Sequence, residues 1–122
     1  MRRRWGVQPV EIRRIDRLDL GKLGRVGWGG NSGFHVLNLA VQMQPARIVL
    51  VGYDMQIEDG LHWHGAHEGL NNPQARDAAR WRRVIDATAP TIKALGVQVF
   101  NASERSALTA FPKVALEEAL RC

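Results

Sequence analysis

Residues 26–54, VGWGGNSGFHVLNLAVQMQPARIVLVGYD, decide the fold predicted for this chain. Four glycines within residues 27–33 disfavour regular structure and predict a tight loop. Apolar residues then recur at helical spacing over residues 34–41, and Asn31 or Ser32 is a suitable helix N-cap. This order predicts a glycine-rich loop that opens directly into a helix.

A buried strand is predicted soon after this helix. Pro45 disfavours helical geometry in the residue before it, so the helix should end near Gln44. Residues 47–54, RIVLVGYD, form an aliphatic run ending in Gly and Asp, which is typical of a parallel strand covered on both faces. A helix and strand joined by a short connection are half of a βαβ unit. We therefore expect a parallel sheet whose carboxyl edge carries Asp54.

The rest of the chain continues the alternation of helices and strands. Residues 74–95 predict a helix with a break near Ala89, because Pro90 lies within it. Residues 97–100 predict a second strand, and the tail predicts a short helix docked on the core. The fold class is therefore α/β: a small parallel-sheet, Rossmann-like three-layer domain over residues 26–122, or a half or truncated version of that fold. Residues 1–25 form a basic, weakly patterned N-terminal segment.

Composition places this 122-residue chain among single-domain globular proteins, with 45% hydrophobic and 24% charged residues. It has neither an apolar run long enough to span a bilayer nor the apolar core of a signal peptide. We therefore expect a cytoplasmic protein with no membrane partner. Cys122 is the only cysteine, which excludes an intramolecular disulfide and a cysteine zinc cage.

The chain is basic, with 17 Lys plus Arg against 12 Asp plus Glu and a net charge of +5. The excess is concentrated in Arg2, Arg3, Arg4, Arg13, Arg14, Arg17, Arg80, Arg82 and Arg83. Such clusters favour polyanionic partners, although solvated helix faces are the simpler interpretation. Because no aromatic ladder interleaves the arginines, a nucleic-acid surface is kept only as an alternative.

The glycine-rich loop is the first candidate site. Gly30, Asn31, Ser32 and Gly33 place small residues and free amides at a helix N-terminus, where unpaired donors and the helix dipole hold phosphate. The loop is neither a Walker A motif nor a dinucleotide fingerprint. The competing interpretation is that these glycines only allow a tight turn and close helix packing.

The ends of the two predicted strands supply the second set of candidates. Gly52 and Asp54 follow the first strand, where α/β proteins contact a ribose hydroxyl or a metal-bound phosphate. Asn101, Ser103 and Ser106 follow the second strand and offer neutral hydrogen-bond partners to a base or sugar. The alternatives are an Asx turn at Asp54 and backbone caps at the others.

Three histidines in one predicted loop are the candidate catalytic residues. His62, His64 and His67 could serve as an acid/base near a bound substrate. Three imidazoles also suit a zinc, nickel or iron ion, so a metal-binding loop is a further alternative. The same string also occurs in polar loops without chemistry.

The chain resembles known proteins over residues 26–120. The stretches that carry the resemblance are GNSGF at 30–34, RIVLVGYD at 47–54, and Asn101, Ser103, Ser106 and Leu108. In this order they are similar to the second half of phage-encoded proteins labelled morphogenetic or hypothetical. More distantly, they resemble the bacterial sialyltransferases of glycosyltransferase family 42 and the archaeal pterin diphosphokinase-like proteins.

The resemblance implies a nucleotide-binding role for several residues. In the sialyltransferases the Ser-Gly loop and the Gly-x-Asp strand end help to hold a cytidine nucleotide, which implicates Asn31, Ser32, Gly33, Gly52 and Asp54. Their catalytic histidine has no counterpart by motif here. Residues 1–25 also have no counterpart to the Rossmann-like half with which those proteins begin, so a shortened form without activity of its own is one expectation.

These patterns lead to one functional hypothesis and two alternatives. The hypothesis is a nucleotide or nucleotide-sugar binding domain of a transferase-like phage or mobile-element protein, with no cofactor identified. The first alternative is a non-enzymatic phage or mobile-element protein that forms homo-oligomers through an apolar surface, because an exposed face of a parallel sheet must be covered. The second alternative is a metal-binding histidine loop.

Overall fold

The structure is a computed structural model that describes residues 6–57 and 74–121. Within these ranges the chain is a mixed α/β fold of short elements. In chain order they are β1 (Glu11–Arg13), β2 (Arg25–Gly27), α1 (Ser32–Gln42), β3 (Arg47–Leu50), α2 (Ala75–Asp86), α3 (Ala89–Ala94), β4 (Gln98–Asn101) and α4 (Leu116–Ala119).

The strands of the described ranges form two parallel pairs. β1 pairs with β2, and β3 pairs with β4 in the register Arg47 to Gln98 through Leu50 to Asn101. The parallel pairing agrees with the sequence prediction. The single open sheet of a three-layer fold is not formed by these residues, because the two pairs are separate sheets.

Helix α1 follows the prediction from local sequence. The side chain of Asn31 accepts a hydrogen bond from the amide of Phe34 and so caps the helix. The helix ends at Gln42, close to the expected end before Pro45. Its inner face buries Phe34 and Val41 in a core cluster that also includes Leu18, Leu37, Leu50, Ile85, Ile92, Val97, Val99, Leu108 and Phe111.

Residues before Gly27 pack onto this core, because Leu18 belongs to the core cluster. Gly27 itself was predicted to lie in an irregular loop, but it is the last residue of β2 and pairs with Arg13. A side chain at this position would collide with the chain, since a Cβ on Gly27 would lie 2.0 Å from the carbonyl oxygen of Arg17. Here glycine permits a close backbone approach within a strand.

Asn38, which is fully buried, ties α1 to β2 and to the loop that precedes it. Its Oδ1 accepts hydrogen bonds from the amides of Asp19 and Gly27, and its Nδ2 donates to the carbonyl of Asp19, all at 2.9 Å. The Asp19 carboxylate in turn accepts from the Arg25 side chain at 2.8 Å and from the Gly21 amide at 3.0 Å. These donors hold the pKa of Asp19 below its ordinary value.

The break expected near Ala89 is present. Helix α2 ends at Asp86, and α3 begins at Ala89 with Pro90 in its first turn, where a proline is tolerated. The tail forms a short helix, but the residue it buries is Ala119, whereas Leu116 and Leu120 are exposed. None of the helices described combines the length and apolar character needed to cross a bilayer.

Candidate functional site

The glycine loop presents two amides of α1 to solvent. The first-turn amide of Phe34 is taken by the Asn31 cap, and the amide of His35 bonds the Asn31 carbonyl. Among the described residues no acceptor bonds the amides of Ser32 and Gly33, and Ser32 is exposed. Together with the positive end of the helix dipole, these amides can donate to an anion.

Arg80 from helix α2 reaches over this loop. Its guanidinium lies 2.6 Å from the position that a Cβ on Gly30 would occupy, and the Trp81 ring lies 3.0 Å from it. Gly30 has a φ of +88°, so its lack of a side chain serves both the turn and the approach of Arg80. Gly30 and Arg80 are therefore neighbours only through the tertiary fold.

Two further side chains fix the position of Arg80. Asp16 accepts a hydrogen bond from the guanidinium at 2.6 Å, and the Trp28 ring lies 4.7 Å below its central carbon. Trp28 is held at its backbone by His35, whose Nε2 donates to the Trp28 carbonyl at 2.7 Å. We call the resulting cavity of about 330 Å³ the arginine pocket; it is lined by Arg14, Asp16, Trp28 and Arg80.

Gly33 has a different role from that of Gly30. A Cβ at Gly33 would lie 3.2 Å from the Tyr53 ring, and the Tyr53 hydroxyl donates to the Gly33 carbonyl at 2.9 Å. The half-buried ring is therefore clamped against the first turn of α1, and burial raises the pKa of Tyr53. This contact connects the glycine loop to the segment that follows β3.

The polar residues that were predicted to follow the second strand are hydrogen-bonded to one another, and Asn101 is itself the last residue of β4. Fully buried Asn101 accepts from the Ser103 amide at 3.0 Å and donates to Ser106 Oγ at 2.9 Å. Ser106 Oγ donates to the Tyr53 carbonyl at 2.5 Å, and Ser103 Oγ accepts from the Tyr53 amide at 2.9 Å. These side chains brace the loop after β4 against the segment after β3, which agrees with the alternative that they are backbone caps.

Asp54 lies in another cavity, of about 750 Å³, at the carboxyl ends of β3 and β4. We call this cavity the strand-end groove; its lining includes Gly52, Asp54, Ser103, Glu104 and Glu117. Gly52 has a φ of +77° with open space around its Cα, so the backbone turn accounts for glycine there. Three carboxylates and one arginine, Arg105, line the groove, so its net charge is negative and less favourable for phosphate than that of the arginine pocket.

The two groups of predicted nucleotide contacts are therefore not in one cavity. Tyr53 contacts the glycine loop, whereas the next residue, Asp54, lines the strand-end groove. Tyr53 and Asp54 lie in an irregular segment after β3, where the chain turns at Gly52 and Met55 with φ values of +77° and +53°. Gly52, Asp54 and Ser103 share one cavity, whereas Gly30 lies beside Arg80, which lines the arginine pocket.

The candidate catalytic residues His62, His64 and His67 lie outside the described residues, so their roles stay predictions. Asp16, Trp28 and Arg80 line the arginine pocket, but the sequence analysis did not predict any of them as a site residue. A usable signal was present in the spacing of Arg76, Arg80 and Arg83, which recur at i, i+4 and i+7 of a helix.

Comparison with known proteins gives no relative for this chain: no family model, curated protein or solved structure matches it.

Proposed function

We propose that this chain binds a phosphorylated nucleotide or nucleotide-sugar at the arginine pocket and the adjoining first turn of α1. The observation that supports this most directly is the position of Arg80 beside Gly30, in the loop that leads into the unbonded amides of Ser32 and Gly33. A phosphate needs donors and positive charge at one place, and these groups supply both.

The charges around the pocket favour an anion of low charge. Arg14 and Arg80 contribute two positive charges, and Asp16 cancels one of them. The N-terminus of α1 adds roughly half a positive charge. The remaining excess is sufficient for one phosphate group, in contrast to the acidic strand-end groove.

Trp28 supports a nucleotide rather than inorganic phosphate. Its side chain stays 44% exposed although Arg80 is stacked on the ring. An exposed indole beside a phosphate site offers a flat apolar surface on which a base can stack. The pocket therefore combines the two chemical features of a nucleotide.

The transferase role and the Rossmann-like ancestry remain part of the proposal. The parallel pairing of β3 with β4 and the glycine loop opening α1 are compatible with a shortened Rossmann-like domain. Transfer would require positioning of the donor and an acid/base, for which His62, His64 or His67 are the candidates. We assign nucleotide binding to the arginine pocket, and the transfer reaction would depend on the loop that contains these histidines.

Calorimetric titration with cytidine 5′-monophosphate and adenosine 5′-monophosphate tests the proposal, with cytidine as the control without phosphate. Arg80→Gln should weaken binding by about tenfold through loss of a charge-assisted hydrogen bond. Asp16→Asn should strengthen it about threefold, because a charge about 6 Å away in water contributes about 0.7 kcal/mol. Lys93→Gln is the matched control, since Lys93 is an exposed residue of α3 and does not line the pocket.

These variants separate a specific pocket from a general effect of charge. Opposite changes for the Arg80 and Asp16 variants, with little change for Lys93→Gln, are the expected result. Equal loss of affinity for Arg80→Gln and Lys93→Gln, or no heat with any nucleotide, would refute nucleotide binding at this pocket.

A non-enzymatic, self-associating protein is the second candidate, favoured by the outer face of α1. Helix α1 contains no charged residue, and Val36 and Met43 on this face are 59% and 71% exposed. A helix that is apolar on both faces is typically covered on both. Light scattering should then detect an oligomer that Met43→Lys dissociates, and a wild-type monomer at high concentration would refute it.

A further inference from the structure

We infer that the nucleotide at the arginine pocket is part of a single-stranded nucleic acid, whose backbone follows a row of arginines on α2. This inference rests on the proposed function, because the same pocket holds one nucleotide of the strand. It assigns the class of ligand, a polynucleotide, that the proposal leaves open.

The row consists of Arg76, Arg80 and Arg83, which recur on one side of α2 at i, i+4 and i+7. The opposite face of the helix is buried through Ala78 and Ile85, so Arg76 and Arg83 are exposed and Arg80 lies half-buried between them. Its length is about 10 Å at a rise of about 1.5 Å per residue. A row of this length is too long for one phosphate group and suits successive phosphates of a chain.

The two carboxylates of α2 offset only part of this charge, because the helix carries four arginines. Asp77 accepts from the amide of Gln74 at the start of the helix, and Asp86 accepts from the amides of Thr109 and Ala110. Both acids are therefore engaged in structural hydrogen bonds. Among the described residues, the carboxylate that pairs with the row is Asp16, at Arg80.

Trp28 lies beside the middle of the row, where Arg80 is stacked on its ring. Its exposed indole provides a platform for an unpaired base next to the arginine that contacts the phosphate. Single-strand binding sites commonly combine a positive track for the backbone with aromatic rings for the bases. A duplex keeps its bases stacked within the helix and cannot use this platform.

Fluorescence anisotropy with labelled oligodeoxyuridylates and oligouridylates of increasing length tests this inference. Affinity should rise with length beyond the mononucleotide, and a hairpin duplex should bind more weakly than the single strand. For about three phosphate contacts the slope of log K against log salt should be about −2, or roughly twentyfold weaker binding between about 50 and 200 mM salt. Comparison of the two sugars decides whether the strand is DNA or RNA.

Variants locate the binding surface. Arg76→Gln combined with Arg83→Gln should reduce the salt slope to about −0.7. Trp28→Ala should weaken binding about tenfold or more through loss of base stacking. The matched control, Lys93→Gln with Arg121→Gln, removes the same charge from exposed residues of other segments and should leave the slope unchanged.

The outcomes distinguish the two proposals. If mononucleotides bind in an Arg80-dependent way but longer strands bind no tighter, the inference is wrong and the proposed function stands. If strands bind and the Arg80 and Trp28 variants have no effect, both assignments to this pocket are wrong. Equal loss of affinity in the Arg76→Gln/Arg83→Gln variant and in its control would also refute strand binding along the arginine row.

Discussion

Asn38 offers the sharpest test of how the structure supports the candidate site. Replacement by leucine keeps a side chain of similar size on the inner face of α1 but removes all three of its 2.9 Å hydrogen bonds. The Asp19 carbonyl keeps a partner, since Gln42 also donates to it at 2.6 Å. The amides of Asp19 and Gly27 lose their acceptor.

The expected cost follows from these two orphaned donors. Each buried polar group left without a partner costs about 1–3 kcal/mol, and the added apolar volume offsets part of this. We therefore expect Asn38→Leu to lower the free energy of unfolding by about 2–4 kcal/mol, out of the roughly 5–15 kcal/mol of a typical domain. If packing alone decided the position, the same change would be neutral or stabilising.

Urea unfolding followed by circular dichroism and tryptophan fluorescence measures this difference. Val36→Ala is the matched control on the same helix, and as a 59% exposed position it should change stability by about 0.5 kcal/mol or less. A leucine variant as stable as the wild type would refute the assignment of Asn38 as an obligatory hydrogen-bonding residue.

Three further variants test other contacts. Gly30→Ala places a Cβ 2.6 Å from Arg80 at a residue with positive φ, so we expect the free energy of unfolding to fall by about 1–3 kcal/mol and cytidine 5′-monophosphate to bind more weakly. An unchanged affinity in calorimetry would show that the anion binds elsewhere. Ser106→Ala removes the hydrogen bond to the Tyr53 carbonyl and should speed amide hydrogen exchange in the segment after β3. Exchange at the wild-type rate would contradict the conclusion that Ser106 holds this segment against the loop after β4. The pKa of Asp19 is lowered in the fold, so its ionised form stabilises the protein at pH values above its unfolded pKa of about 3.9. The difference in unfolding free energy between the wild type and Asp19→Asn should therefore shrink as the pH falls below that value. A difference that does not depend on pH would contradict this linkage.

Local physics in the sequence determined several elements. The Asn31 cap and Pro45 set the bounds of α1, and Pro90 separates α2 from α3. The aliphatic run that includes β3 predicted a parallel strand, which the pairing with β4 confirms. Each of these predictions depends on propensities and periodicity within a few residues, so no knowledge of distant contacts was needed.

The site depended on contacts between residues far apart in the chain. Arg80 and Gly30 are fifty positions apart, and the sequence gives no sign that one lies over the other. Asn38 is a polar residue within an apolar helix, and its hydrogen bond to Gly27 exists only because β2 packs against α1. Such pairings are decided by the way whole elements pack, which local patterns do not encode.

The same physical reason separates the two groups of candidate residues. The sequence by itself determined that a glycine loop opens a helix and that an aliphatic strand is followed by Gly52 and Asp54. Only the tertiary structure decided that Tyr53 contacts α1 and that Asp54 lines the acidic groove, because the irregular segment after β3 is positioned by hydrogen bonds to distant elements. The order of motifs in the sequence therefore fixed the elements, and packing decided which of their side chains share a cavity.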